Sequence, residues 1–145
     1  MLTNKDYCDY ETCVALKELG YKVPTSAYYM PNNNKLIFVS NSLRGGYVID
    51  CFRSHNSFRK EVMTSDYIDA PTMWEAQKWL REEKNIDVLP RRGYINRQSY
   101  QVAIYINYNR SIVVFNNDGK DYNSLEEALS EGIKSAVKIL KDETN

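Results

Sequence analysis

Histidine is nearly absent: the 145 residues contain one, His55. Any Ser-His-Asp or Cys-His relay would have to be built around that side chain, in a stretch with no regular pattern. Cysteine is scarce too. Cys8, Cys13 and Cys51 make an odd count with no C-x-x-C pair, which fits a reducing cytoplasm. Cys51 and His55 have a conceivable ligand spacing, but two ligands do not close a zinc site, so no metal is expected. Gly45-Gly46 is followed by neither Lys-Ser/Thr nor a helix pattern, so the chain lacks a phosphate loop and no cofactor is expected.

Net charge is also missing: 19 basic residues balance 19 acidic ones, which argues against non-specific attraction to nucleic acid or anionic membrane. No run of about 18 apolar residues occurs, and "MLTNKDYCDYETC" has no apolar signal core. The expectation is a soluble cytoplasmic protein with no membrane partner. Carboxylates are plentiful but unpatterned: Asp50, Glu61, Asp66 and Asp69 surround an irregular stretch, and no Asp/Glu-x-Lys trio follows a strand. No catalytic residue is therefore assigned. An enzyme using His55, Cys51 and nearby acids ranks last among the readings.

What the chain does have is tyrosine, 12 residues against four Phe and two Trp. A large apolar ring with a polar tip suits half-buried sheet positions and interfaces. Basic charge is concentrated in the middle. Residues 35–110 carry 12 Lys+Arg against 8 Asp+Glu, a net of +4, and all eight arginines lie between Arg44 and Arg110.

Local patterns place the elements. "DYETCVALKELG" reads as a helix with Asp9 as N-cap and Gly20 as its left-handed terminator. "SAYYM" and "LIFVS" flank the turn "PNNNK", a hairpin signal. Residues 41–66 hold one strand candidate, "YVIDCF", and otherwise read as a long irregular, mobile loop.

In "APTMWEAQKWLREE", Thr72-x-x-Glu75 is a capping box that starts a second helix. Helical periodicity groups Met73, Ala76, Trp79 and Leu80 on a buried face and sets Trp74 apart, toward Lys78 and Arg81. "NIDVLPRRG" reads as a short strand broken at Pro90. "YQVAIYINYNRSIVVF" alternates strongly and reads as a second hairpin. "SLEEALSEGIKSAVKILKDE" is an amphipathic helix capped by Ser124 and Glu127, with Leu125, Leu129, Ile133, Ala136 and Leu140 as its apolar stripe. Gly132 and Ala136 would let it approach a sheet closely.

The stretches "ALKELG", "YY" before an Asn-rich turn, "APTMWEAQKWLREE" and "YNSLEEALSEGIKSAVKIL" occur in an order that resembles a group of small proteins. These occur widely in Bacteroidota genomes, their phages and mobile elements, and their activity is not established. The likeness spans most of the chain except residues 41–66, and its motifs concern the fold. It implies a mobile-element setting and no catalytic residues.

The expected fold is one α+β domain over residues 1–145, with three helices packed on one antiparallel sheet built from two β-hairpins. The expected function is a small non-enzymatic binding protein acting by association with an unknown protein or with itself. Trp74, Arg81, Arg91 and Arg92 are the foremost contact residues, joined by Tyr94, Arg53 and Arg59. Two alternatives use the same residues: sequestering a nucleotide signal as a counter-defence protein, and, ranked lower, binding single-stranded nucleic acid.

Overall fold

The computed structural model describes residues 2–30, 34–38, 67–93, 98–108, 111–116 and 120–144. The first helix, α1 (Tyr10–Glu18), is bounded by the signals its sequence carries. The Asp9 carboxylate accepts the Thr12 amide at 2.8 Å, satisfying a first-turn donor. Cys8 and Cys13 stand just before the cap and four residues after it, both buried, where an apolar staple fixes the chain's entry. At the other end Gly20 has φ +102°. The Tyr21 amide reaches back to the Leu16 carbonyl and the Gly20 amide to Lys17, a complete Schellman closure.

Strands β1 (Ala27–Tyr29) and β2 (Leu36–Phe38) form the expected first hairpin, with Tyr28 opposite Ile37. Asn34, at φ 54°, supplies one left-handed residue for its turn. A third strand, β3 (Ile68–Asp69), pairs antiparallel on the other side of β1, giving the order β2-β1-β3. Its two residues are too few to show a period, so the sequence alone does not announce it. Together with α1 these strands belong to the compact unit Met1–Thr72. Tyrosine dominates its core: Tyr7, Tyr21, Tyr29 and Tyr67 are buried. Tyr10 meets Tyr29, and Tyr28 meets Tyr67, edge to face.

The second compact unit, Met73–Asn145, starts with α2 (Met73–Lys84), which begins immediately after Thr72 as the capping pattern requires. Asn85, at φ 56°, reverses the chain into β4 (Ile86–Arg92). Strands β5 (Tyr100–Tyr108) and β6 (Ser111–Asn116) complete an antiparallel sheet of order β4-β5-β6. The last helix, α3 (Leu125–Thr144), packs on β4 and β5. Its N-terminus is capped by Ser124 Oγ, which accepts the Glu127 amide at 3.1 Å, while the Glu127 carboxylate accepts the Asn123 amide.

Two expectations need correction. Among the described residues the fold is α+β with three α-helices, but the strands form two three-stranded sheets, one in each unit, and not one sheet of two hairpins. Pro90 does not break β4 either: the strand pairs with β5 from Ile86 through Arg92, with Pro90 opposite Val102. The reason is the edge position. The Gly93 amide bonds to Ser99 across the pair, so odd-numbered residues of β4 face β5; the Val88 carbonyl instead accepts from Gln77, outside the sheet. Pro90 shares the outward phase of Val88, where no ladder donor is needed. The strand candidate and long loop over 41–66 lie outside the described residues.

The second unit's core lies between α3 and the sheet. Leu129, Ile133, Ala136 and Leu140 are buried against a face that carries Ile86, Val88, Val102 and Ile104. Gly132 makes this approach possible: a Cβ there would stand 2.5 Å from Val102 Cγ2 and 2.6 Å from Val88 Cγ1. Both neighbours are stiff β-branched side chains in a buried layer. Gly132→Ala should gain about 1 kcal/mol of helix propensity and lose more to overpacking, for a net loss of about 1–2 kcal/mol. Urea denaturation followed by circular dichroism reads this directly, and an unchanged or raised midpoint would contradict the close approach.

In the first unit, the Cys8 carbonyl accepts from the Tyr29 hydroxyl at 2.7 Å and from the Cys13 thiol at 3.6 Å. A hydrogen bond with Cys8 and then burial push the Cys13 thiol above its ordinary value of 9.0; burial and then Cys13 push the Tyr29 phenol above 10.0. The fold thus holds both groups protonated while the unfolded chain ionises at ordinary values. Their stabilising contribution is complete below about pH 9 and falls as pH rises beyond it. Denaturation midpoints measured at rising alkaline pH should decline for the native chain, and less steeply for Cys13→Ala.

Candidate functional site

The two tryptophans of α2 have separate fates. Helical spacing puts Met73, Ala76, Trp79 and Leu80 on the side that packs against β4 and α3, and all four are buried. Trp79 is 8% exposed, and the Lys84 ammonium lies 5.5 Å from its ring centroid. Trp74 is 42% exposed. Lys78 and Arg81 follow it at i+4 and i+7 and are exposed as well. The outer face of α2 therefore carries one indole and two cations, with the exposed Glu82 beside Lys78 at i+4.

The position of α2 on its strand is pinned by Gln77, whose Nε2 donates to the Val88 carbonyl at 2.6 Å. Because β4 runs back along α2 after the Asn85 turn, this bond sets the level of every candidate on the pair. Arg81 lies about 6 Å from Gln77 toward the turn, by helix rise. Arg91 lies about 10 Å from Val88 in the opposite direction, by strand rise. The two arginines are thus separated by about 16 Å along this axis, with Trp74 between their levels. Along α2 and β4, Arg81, Trp74 and Arg91 are therefore spread out and do not converge on one pocket.

Arg91 and Arg92 are themselves divided. Both are exposed, but as successive residues of one strand they point to opposite faces. Arg92 stands opposite Tyr100 and its guanidinium lies 4.9 Å from that ring's centroid. Tyr100 in turn bridges to Tyr122 through paired backbone bonds of 2.9 and 2.7 Å. The Lys120 ammonium lies 5.7 Å from the Tyr122 centroid. Two cations thus flank two tyrosines along one row of the sheet, with Tyr122 buried. On the opposite face Arg91 stands across from Gln101, whose side chain donates to Asp121 at 2.9 Å.

Tyr94, Arg53 and Arg59 lie outside the described residues, as do Cys51 and His55. Among the described residues no group of three His, Cys, Asp or Glu side chains could hold a metal ion. Among them, too, no helix is long and apolar enough to cross a membrane. Leu2, Val23, Phe38 and Leu89 are exposed apolar residues that the sequence reading did not single out, and of these Leu89, 42% exposed, sits on β4. Its signal was the alternation Ile86-Asp87-Val88-Leu89, which puts it out of phase with the buried Ile86 and Val88.

No protein-family model matches this chain, no curated protein matches it, and no solved structure matches its fold. Its surface chemistry is therefore read from its own residues.

The assignment of the tryptophans is directly measurable. Iodide should quench the fluorescence of Trp79→Phe, which retains Trp74, far more than that of Trp74→Phe, which retains Trp79. Trp74→Ala should change folding stability by about 0.5 kcal/mol or less, whereas Trp79→Ala should cost about 3–5 kcal/mol. Equal quenching of the two variants would contradict the placement.

Proposed function

We propose that this protein acts by association with another protein or with a second copy of itself, through the outer face of α2. The observation that carries the reading is Trp74, a large apolar side chain left 42% exposed on a helix whose core is filled by Trp79. Tryptophan and arginine are the residues most enriched among interface anchors. Lys78 and Arg81 border the indole, so a fitting partner surface combines an apolar recess with carboxylates. The tryptophan would bury its ring in the recess and the cations would set orientation. The role is one of binding, without a chemical step.

The alternatives built on the arginines draw less support. Gripping a nucleotide phosphate favours convergent guanidinium groups. Here alternation turns Arg91 and Arg92 to opposite faces, and Arg81 lies at the far end of α2 from both. A single-strand nucleic-acid surface needs a continuous basic track with exposed rings. Tyr122 is buried in the basic-aromatic row, and the chain carries no net charge. As part of the proposal, the resemblance to small proteins of Bacteroidota, their phages and mobile elements implies a mobile-element setting, and the odd cysteine count fits a reducing cytoplasm.

Native mass spectrometry of the protein isolated undenatured from its host, or from infected cells, tests the proposal. The expected result is a stoichiometric protein companion or a defined oligomer that Trp74→Ala abolishes and that Arg81→Glu weakens by about tenfold or more. A complex that survives Trp74→Ala intact, or a chain that is always bare and monomeric, would overturn it.

A further inference from the structure

We infer that the partner covering Trp74 is a second copy of this chain, paired antiparallel through the outer face of α2. The inference rests on the association reading above and narrows it to one partner. What carries it is the spacing of unlike groups along the helix. Trp74 and Arg81 are seven residues apart, so they lie within about 20° of each other around the helix and about 10.5 Å apart along its axis. Lys78 lies between them and Glu82 follows Arg81, and all four side chains are exposed.

A two-fold axis crossing the helix between Gln77 and Lys78 runs the second copy's α2 in the opposite direction, so the same patch meets itself. Trp74 then stands level with Arg81 of the second copy, and the identical contact recurs on the other side of the axis. Glu82 of the second copy lies one residue, about 1.5 Å, further along. Unlike groups thereby bracket the indole: a guanidinium for its electron-rich ring face and a carboxylate to accept its N–H. One face of α2 supplies both the apolar anchor and the groups that receive it. A parallel pair would instead set Arg81 against Arg81 and leave each indole without a cation.

The antiparallel pair keeps one like-charge approach, because the two Lys78 side chains meet near the axis. Each has Glu82 at i+4 on its own helix and a long stem that carries the ammonium out to solvent. The chain's zero net charge adds no long-range repulsion between copies. One helix face from each copy is a small interface, so the dimer is weak and depends on concentration.

Sedimentation equilibrium of the purified full chain, at concentrations up to about 1 mM, should show monomer and dimer in exchange. Trp74→Ala and Arg81→Ala, both at exposed positions, should each weaken the dimer by about tenfold or more. Mixing these two variants is the decisive step. The mixed dimer regains one of its two Trp74–Arg81 contacts, whereas the dimer of either variant alone has neither. At equal total concentration the mixture should therefore show a higher average mass than either variant by itself. Lys78→Ala removes the like-charge approach and should tighten the dimer, whereas it would loosen an acidic partner of another sequence. A chain that stays monomeric throughout, a dimer indifferent to Trp74→Ala, or a mixture no heavier than its components would overturn the inference. If the chain alone is monomeric but a companion from the host still requires Trp74, this inference falls and the broader association reading stands. If no complex of either kind requires Trp74, both fall.

Discussion

The second unit depends on one close approach, that of the α3 backbone to the sheet at Gly132. With only hydrogen at that position, the helix settles until the Val88 and Val102 methyl groups occupy the space a Cβ would need. That contact holds Ile133, Ala136 and Leu140 in the buried layer and fixes the surface against which α2 packs. The seat on α3 and the edge of β4 accepts one broad apolar face of α2. Met73, Ala76, Trp79 and Leu80 fill it, and the Gln77 bond to Val88 sets the level. Trp74, almost half a turn round from Trp79 on the helix, is left outside. Exposure of an indole is thus a consequence of how the core is filled, and its retention on the surface is what association would exploit.

The same interactions protect the β4 edge. An open strand edge invites unwanted pairing with another chain. Gln77 occupies the Val88 carbonyl, Pro90 offers no amide, and Arg91 and Arg92 place charge at the strand's end. Pairing of another chain along this edge is therefore discouraged. The first unit shows a different economy of parts. Short strands and a nine-residue helix are held by tyrosine rings packed edge to face and by hydroxyl and thiol donors converging on the Cys8 carbonyl. Tyr29 shows what tyrosine supplies there and phenylalanine could not: the buried Cys8 carbonyl needs a donor as well as packing.

Helices were the most legible part of the sequence because caps and periodicity agree. Asp9, Thr72 and Ser124 each stand immediately before a helix, Gly20 closes the first, and the separation of Trp74 from Trp79 follows from 3.6-residue spacing. Strands were less legible for two physical reasons. The two residues of β3 form a strand only through pairing with β1, a tertiary effect with no local signature. Pro90 resembles a break unless the strand is known to lie at an edge and in the outward phase. That second error concealed a functional point. Once Arg91 and Arg92 are seen to continue β4, alternation turns them to opposite faces, and among the described candidates Trp74 and Arg81 share the outer face of α2.

The central claim is that Trp74 is exposed in the isolated chain and covered when the protein performs its role. The measurement that tests it most directly is iodide quenching of Trp79→Phe, whose only indole is Trp74, in the assembly isolated from the host and again after dissociation by dilution. The account predicts weak quenching in the assembly and strong quenching in the dissociated chain. Equally strong quenching in both states would contradict it, because the indole would then remain open to solvent while the assembly is intact.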